Sequence, residues 1–246
     1  MLKRRGFPVL GANPTEYLFF PPDLDKPFED ELYEMLKKYS FRIFIRDVIK
    51  KRHSFEAGDL LKYSTKEWVG RYIDFLHKRG VITSEGGESY SLKAEAVFSF
   101  GDTLEWFIAN VFEREFSSPA LWGVRLGGTS SGGDYDVIAS IEGRLAYVEV
   151  KSSPPKNVEE AEVLAFLKRT EELSPSTAIF IEDTRLRMGD KIVPFFESLL
   201  PGREVERVAA ETFTIEDKVF IINSMPDIIS NIGLCIKRSL KTGPFW

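Results

Sequence analysis

Two runs of strand-forming residues about a two-residue turn constrain this chain more than any other stretch of it. In DYDVIASIEGRLAYVEVK (134–151), Val137, Ile138 and Ile141 on one side and Leu145, Tyr147, Val148 and Val150 on the other are residue types suited to strands. Glu142-Gly143 between them suits a tight hairpin turn in which glycine supplies a positive φ. With those two residues as the loop, Ile141 faces Arg144 and every opposed pair of residue numbers adds to 285. Asp136 then stands across from Glu149, and Asp134 across from Lys151. Opposed Cβ atoms lie about 4.5–5.5 Å apart, where like charges repel. Glu149 and Lys151, two apart on one strand, share a face about 7 Å apart. The register asks for a cation between two carboxylates with an ammonium group beside it. The plainer reading is a surface hairpin with solvated acids and a Lys151–Asp134 ion pair; the apolar flanks argue against it.

A third acid lies upstream. GDTLEWFIANVFEREF (101–116) has a helical pattern, with Asp102 or Thr103 available as N-cap. Leu104, Phe107, Ile108, Val111 and Phe112 form one apolar arc, with Trp106 nearly opposite it. Glu105 falls on the rim of that arc beside Phe112, where a side chain can follow the buried seam into a cleft or turn out to water.

A helix with Glu105, then DVIA with Asp136, then VEVK with Glu149 and Lys151, then a helix over about 157–173, resembles the PD-(D/E)xK nuclease superfamily. The nearest flavour is its archaeal Holliday-junction-resolvase and restriction-endonuclease-like group. The resemblance covers roughly residues 98–185 and lacks the family's proline, since Tyr135 stands before Asp136. It implies an α/β/α core in αβββαβ order that hydrolyses nucleic-acid phosphodiesters with Mg²⁺ or Mn²⁺. Carried over residue by residue, it makes Asp136, Glu149 and the Val150 carbonyl metal ligands. Glu105 would hold metal directly or through water, and Lys151 would position or activate the attacking water.

The residue inventory agrees with hard oxygen ligands. A single cysteine, Cys235, and two distant histidines, His53 and His77, exclude a Cys/His zinc cage. That leaves carboxylates, which suit Mg²⁺ or Mn²⁺. One cysteine also argues against a disulfide-built secreted domain. No run of about 18 apolar residues would span a bilayer, and MLKRRGFPVL lacks a signal-peptide apolar segment; a cytoplasmic protein is expected. The net charge of −5 is uneven: residues 1–100 carry 17 Lys/Arg against 15 Asp/Glu, the remainder 16 against 23. Binding to nucleic acid depends on patches rather than totals, so this balance decides nothing.

The front of the chain carries the second signal. After a helix near 27–38, FEAGDLLKYSTKEWVGRYIDFLHKRGVITSEGGESYSL (55–92) reads as a short helix, a turn at Tyr63-Ser64, a longer helix from about Thr65 to Arg79 stopped by Gly80, and a hairpin tipped by Gly86-Gly87. This order resembles a winged helix-turn-helix. On the longer helix Val69, Ile73 and Leu76 face inward while Lys66, Arg71 and Lys78 do not. Lys66 and Arg71 are candidate DNA contacts, since basic side chains on such a helix meet phosphates; a solvated face on a protein-binding winged helix is the alternative.

The expected organisation is an arm (1–25), a winged helix (26–95), a nuclease domain (96–200) and a C-terminal segment (201–246) with two strands near 204–223 and a helix near 227–240. That last segment would extend the sheet or make a homodimer contact. GGTSSGG (127–133) lacks the lysine of a phosphate-binding P-loop and reads as a flexible loop beside the site. Two functions compete: a metal-dependent DNA endonuclease targeted by its winged helix, and a DNA-binding regulator or architectural protein on an inactive nuclease fold. A nuclease acting on RNA fits the same residues.

Overall fold

The computed structural model describes residues 1–241 apart from 22 and 24. Those two positions of the expected arm, and 242–246 of the expected C-terminal segment, lie outside the described residues. The chain divides into two compact units, Pro14–Thr103 and Met1–Asn13 together with the chain from Leu104 onward. The expected arm is thus split. Its first part contributes strand β1 (Val9–Gly11) to the sheet of the second unit.

In the unit of residues 14–103, helix α1 (Lys26–Leu36) starts where the Asp25 carboxylate accepts the Phe28 amide at 2.7 Å, a cap contributing about 1 kcal/mol. Helix α2 (Tyr39–Lys50) was not anticipated; it buries Phe41, Phe44, Ile45, Val48 and Ile49 at helical spacing. Its Arg42 is buried and donates to the Leu36 and Lys37 carbonyls at 2.6 and 3.2 Å, satisfying acceptors that the end of α1 leaves over. Strand β2 (Phe55–Glu56) leads into a 3-10 helix, Ala57–Tyr63, where a short helix was expected. Helix α3 (Lys66–Lys78) is capped by Thr65, and Gly80 follows it at φ +66°. Strands β3 (Ile82–Gly86) and β4 (Ser89–Leu92) form the wing, in a sheet of order β2-β4-β3. Gly86 and Gly87 both have positive φ at its tip. Three helices and a two-stranded wing make the architecture of a winged helix.

The second unit is α/β. Its elements run α4 (Gly101–Phe116), β5 (Ala120–Leu126), β6 (Tyr135–Ile141), β7 (Arg144–Lys151), α5 (Glu160–Leu173) and β8 (Thr177–Glu182), the αβββαβ order; the first residues of α4 count with the other unit. Then follow α6 (Ile192–Leu199), β9 (Glu206–Ala209), β10 (Thr212–Ile215), β11 (Val219–Asn223) and α7 (Ile228–Lys241). The sheet order is β1-β5-β6-β7-β8-β11-β10-β9. Strands β7, β8 and β11 are parallel neighbours and the remaining pairs antiparallel. The segment after residue 200 therefore extends the sheet, with three strands where two were expected.

The site's position follows from how β7 is packed. Leu145 and Tyr147 face the core formed with Val163 and Phe166 of α5 and Phe196 of α6. A ring sequence Tyr135–Tyr147–Phe166–Phe180, with centroids 5.4–5.5 Å apart, runs from the end of β6 into that core. Burying each such ring contributes about 1.5–3 kcal/mol and locks α5 against β7. Helix α7 covers the opposite face, pairing Ser239 with Thr177 and packing Gly233 against Phe116 of α4.

Candidate active site

The β6–β7 hairpin runs in the register set by its turn. Glu142 and Gly143 both take positive φ, 48° and 76°, which matches the right-handed twist of the strands. The ladder extends from Ile141↔Arg144 to Val137↔Val148. Beyond it β7 continues alongside β8, with Glu149 opposite Phe180 and Lys151 opposite Glu182. Where β6 stops pairing, Asp136 supplies its side chain: Oδ2 accepts the Val150 amide at 2.7 Å.

Glu149 is buried, and a buried charge needs partners. It has three. Lys151 Nζ donates to Oε1 at 2.9 Å, while Arg169 Nη1 at 3.2 Å and the Tyr147 hydroxyl donate to Oε2. Lys151 also reaches Glu162 of α5 at 3.1 Å. This corrects the expected Asp134–Lys151 pairing: Asp134 is exposed, and Lys151 turns to Glu149 and Glu162 because β7 has left β6 by that point.

Burial, and then the charge of Glu149, push the Asp136 carboxyl up to about 8, against the pull of the Val150 amide, Lys151 and Arg169. Burial alone would lower Lys151, but the carboxylates of Glu149, Asp136 and Glu162 raise it, so it stays an ammonium group. Burial and the neighbouring acids likewise raise Tyr147, which stays a hydroxyl donor.

Two carboxylates that repel, one of them holding a proton at neutral pH, are the donor set a divalent cation would relieve. The residues present fit Mg²⁺ or Mn²⁺, which accept one or two carboxylates and complete their shell with water. Glu105 is half-buried on α4. Among the described residues no three or more His, Cys, Asp or Glu side chains gather into a metal cage, so the structure does not group Glu105 with Asp136 and Glu149.

Sequence reasoning missed the contribution of α5. Arg169 lies three residues after Phe166 and four before Leu173, both buried, and a basic residue in that stripe was the available signal. Glu172 accepts from the amides and hydroxyls of Ser130 and Ser131. Those bonds outweigh the burial that would raise it and hold it down to about 2. The glycine-rich segment is therefore pinned over 127–131 rather than loose. The Gly127 amide also donates to Pro8 at 2.8 Å, and a Cβ at Gly128 would meet the Gly6 carbonyl at 2.6 Å.

On the winged helix, Lys66 is exposed at the start of α3. Arg71 is tied to Glu67 at 2.6 Å and lies over the half-open Trp68 ring at 4.9 Å.

No family model matches this chain, and neither does any curated protein sequence. Solved structures that share its fold include the following two. Protein VC1899 from Vibrio cholerae aligns at 12% identity and TM-score 0.52 over 88% of this chain and 58% of its own. Can2 from Sulfobacillus thermosulfidooxidans, solved in complex with cyclic tetra-adenylate, aligns at 12% identity and TM-score 0.51 over 98% and 58%. At that identity the likeness is one of fold, and the chain spans 58% of the length of each. No helix among the described residues is long and apolar enough to cross a membrane.

Proposed function

We propose that the chain is a metal-dependent nuclease of PD-(D/E)xK type that hydrolyses DNA phosphodiester bonds, with the winged helix as its DNA-targeting module. The observation that carries this reading is the convergence of Asp136 and Glu149 at the open end of the β6–β7 hairpin, with Lys151 bonded to Glu149. The αβββαβ order that positions them supports it. The likeness of fold to Can2, solved with a bound nucleotide, is in keeping with nucleic-acid chemistry.

Asp136, Glu149 and the Val150 carbonyl would hold Mg²⁺ or Mn²⁺, with Glu105 acting through water. Such an ion lowers the pKa of a bound water and offsets charge developing on phosphorus. Lys151 is held protonated between Glu149 and Glu162, so it acts as a fixed positive charge that orients the water and stabilises the phosphorane-like charge, not as a proton acceptor. Tyr147 and Arg169 fix Glu149, keeping its carboxylate aimed along the strand end.

One observation favours the regulator reading: both Glu149 oxygens already have protein partners, as a purely structural ion cluster would. Incubation with supercoiled, branched and single-stranded DNA, and with RNA, separates these readings. Cutting of at least one DNA form in Mg²⁺ or Mn²⁺ is expected. DNA binding without cutting in any divalent metal would make the regulator reading the better one, and cutting confined to RNA would reassign the substrate.

A further inference from the structure

Arg169 spends only part of its guanidinium on the protein. Nη1 bonds Glu149 at 3.2 Å, Nη2 reaches the Gly132 carbonyl at a long 3.4 Å, the Tyr147 hydroxyl lies beside the group, and Nε, shielded from solvent, has no hydrogen-bond partner. Nε and Nη2 together form the side-on edge of the guanidinium, whose two parallel N–H groups match the oxygens of a phosphate or carboxylate. The group lies over the Tyr135 ring, 5.6 Å from its centroid, which fixes the plane of the fork. An unpartnered buried donor is destabilising, so leaving Nε unused is a standing destabilisation at the centre of the site.

The backbone against the Nη2 end of this edge is glycine. Gly132 and Gly133 are exposed, both with positive φ (63° and 77°), and a Cβ at Gly133 would sit 2.6 Å from Nη2. A strap without side chains yields most easily. Its neighbours Ser130 and Ser131 stay anchored to Glu172, three residues beyond Arg169 on the same helix.

We infer that Arg169 is a substrate-binding residue that presents its Nε/Nη2 edge to a backbone phosphate of the nucleic-acid strand, beside the group on which Asp136, Glu149 and Lys151 act, as the Gly132–Gly133 strap moves aside. The inference deepens the nuclease reading and rests on it. It assigns to α5 the work of holding the strand in register with the carboxylate pair, with Nη1 linking the two tasks through Glu149.

The test compares wild type, Arg169→Gln and Arg169→Lys for binding a labelled single-stranded DNA in Ca²⁺ as salt is varied, with Mn²⁺ affinity measured separately by calorimetry on the protein alone. Arg169→Gln should lose about tenfold or more in strand affinity at low salt and reduce the slope of log K against log salt by about 0.7, the value for one phosphate on a single strand. Its Mn²⁺ affinity should fall by no more than the 10- to 100-fold typical of a group that supports a metal ligand, because Nη1 also holds Glu149. Arg169→Lys, which keeps the charge and much of the packing, should restore the slope but not the full affinity, because the fork is gone. Unchanged strand affinity and slope in Arg169→Gln, with wild-type cutting intact, would overturn the inference and leave the nuclease reading standing. So would loss of Mn²⁺ binding in Arg169→Lys with its strand binding unaltered, since Arg169 would then serve Glu149 alone. A wild-type protein that binds no strand and cuts none overturns both.

Discussion

Lys151→Ala should slow strand cleavage by about 100- to 1000-fold, the usual cost of removing one preorganised group aimed at developing charge. Divalent-metal affinity should be unchanged or slightly tighter, because the substitution removes a cation beside the carboxylate that would bind metal. The geometry separates this outcome from a structural one. Lys151 bridges Glu149 and Glu162 at 2.9 and 3.1 Å. If that were its whole role, its loss would lower stability modestly and leave turnover per folded molecule alone. Single-turnover rates at saturating Mg²⁺, compared with melting temperature, decide the matter. Equal rates for the two proteins would strip Lys151 of a part in the chemistry.

The second large effect is on stability. Asp136 is pushed up to about 8 in the folded protein, from an ordinary value of 3.8. A carboxyl whose pKa is raised by folding binds more protons in the native state than in the unfolded state between those two values. Its contribution is therefore fully present below about pH 4 and is lost as pH rises through about 8. In chelator, the melting temperature of wild type should fall from about pH 5 to about pH 8. Asp136→Asn should flatten that fall and melt higher than wild type at the upper end, each kcal/mol recovered being worth about 2–4 °C in a chain of this size. Mn²⁺ should raise the wild-type melting temperature at about pH 8 by taking the place of the proton, and should do little for Asp136→Asn. Parallel pH profiles for the two proteins in chelator would show that Asp136 is not the strained group.

The hairpin was legible in the sequence because its register depends on two adjacent residues. Glu142 and Gly143 fix the loop, and from there alternation alone carries the pairing to Val137 and Val148. The reading failed one residue further on, for a reason sequence alternation does not encode: β7 changes partners. Its last residues run with β8, so Lys151 finds Glu162 on a helix that begins nine residues later, and Asp136 uses its carboxylate where a carbonyl would have served. Arg169 was hinted at only as a basic residue in the buried stripe of α5, and Glu172 not at all, since their partners Glu149, Ser130 and Ser131 are 20 to 42 positions away. In the winged unit, α2 has an ordinary helical stripe, but the buried Arg42 interrupts it. That arginine is buried to finish α1 rather than to serve α2. The glycine-rich segment misled for a different reason: composition reports how freely a backbone can bend, not what its amides and serine hydroxyls will meet.

The central claim is that Asp136 and Glu149 act together as the metal-holding pair of a nuclease. The measurement closest to it is a paired one, Mn²⁺ binding and DNA cutting on the same preparations of wild type, Asp136→Asn and Glu149→Gln. Wild type should bind Mn²⁺ and cut in Mg²⁺ or Mn²⁺ but not in EDTA. Each variant should lose Mn²⁺ affinity by more than about 100-fold, beyond the 10- to 100-fold typical of groups that merely support a ligand, and cutting should fall with it. Folded variants that still bind Mn²⁺ as wild type does, or that cut at the wild-type rate, would contradict the account.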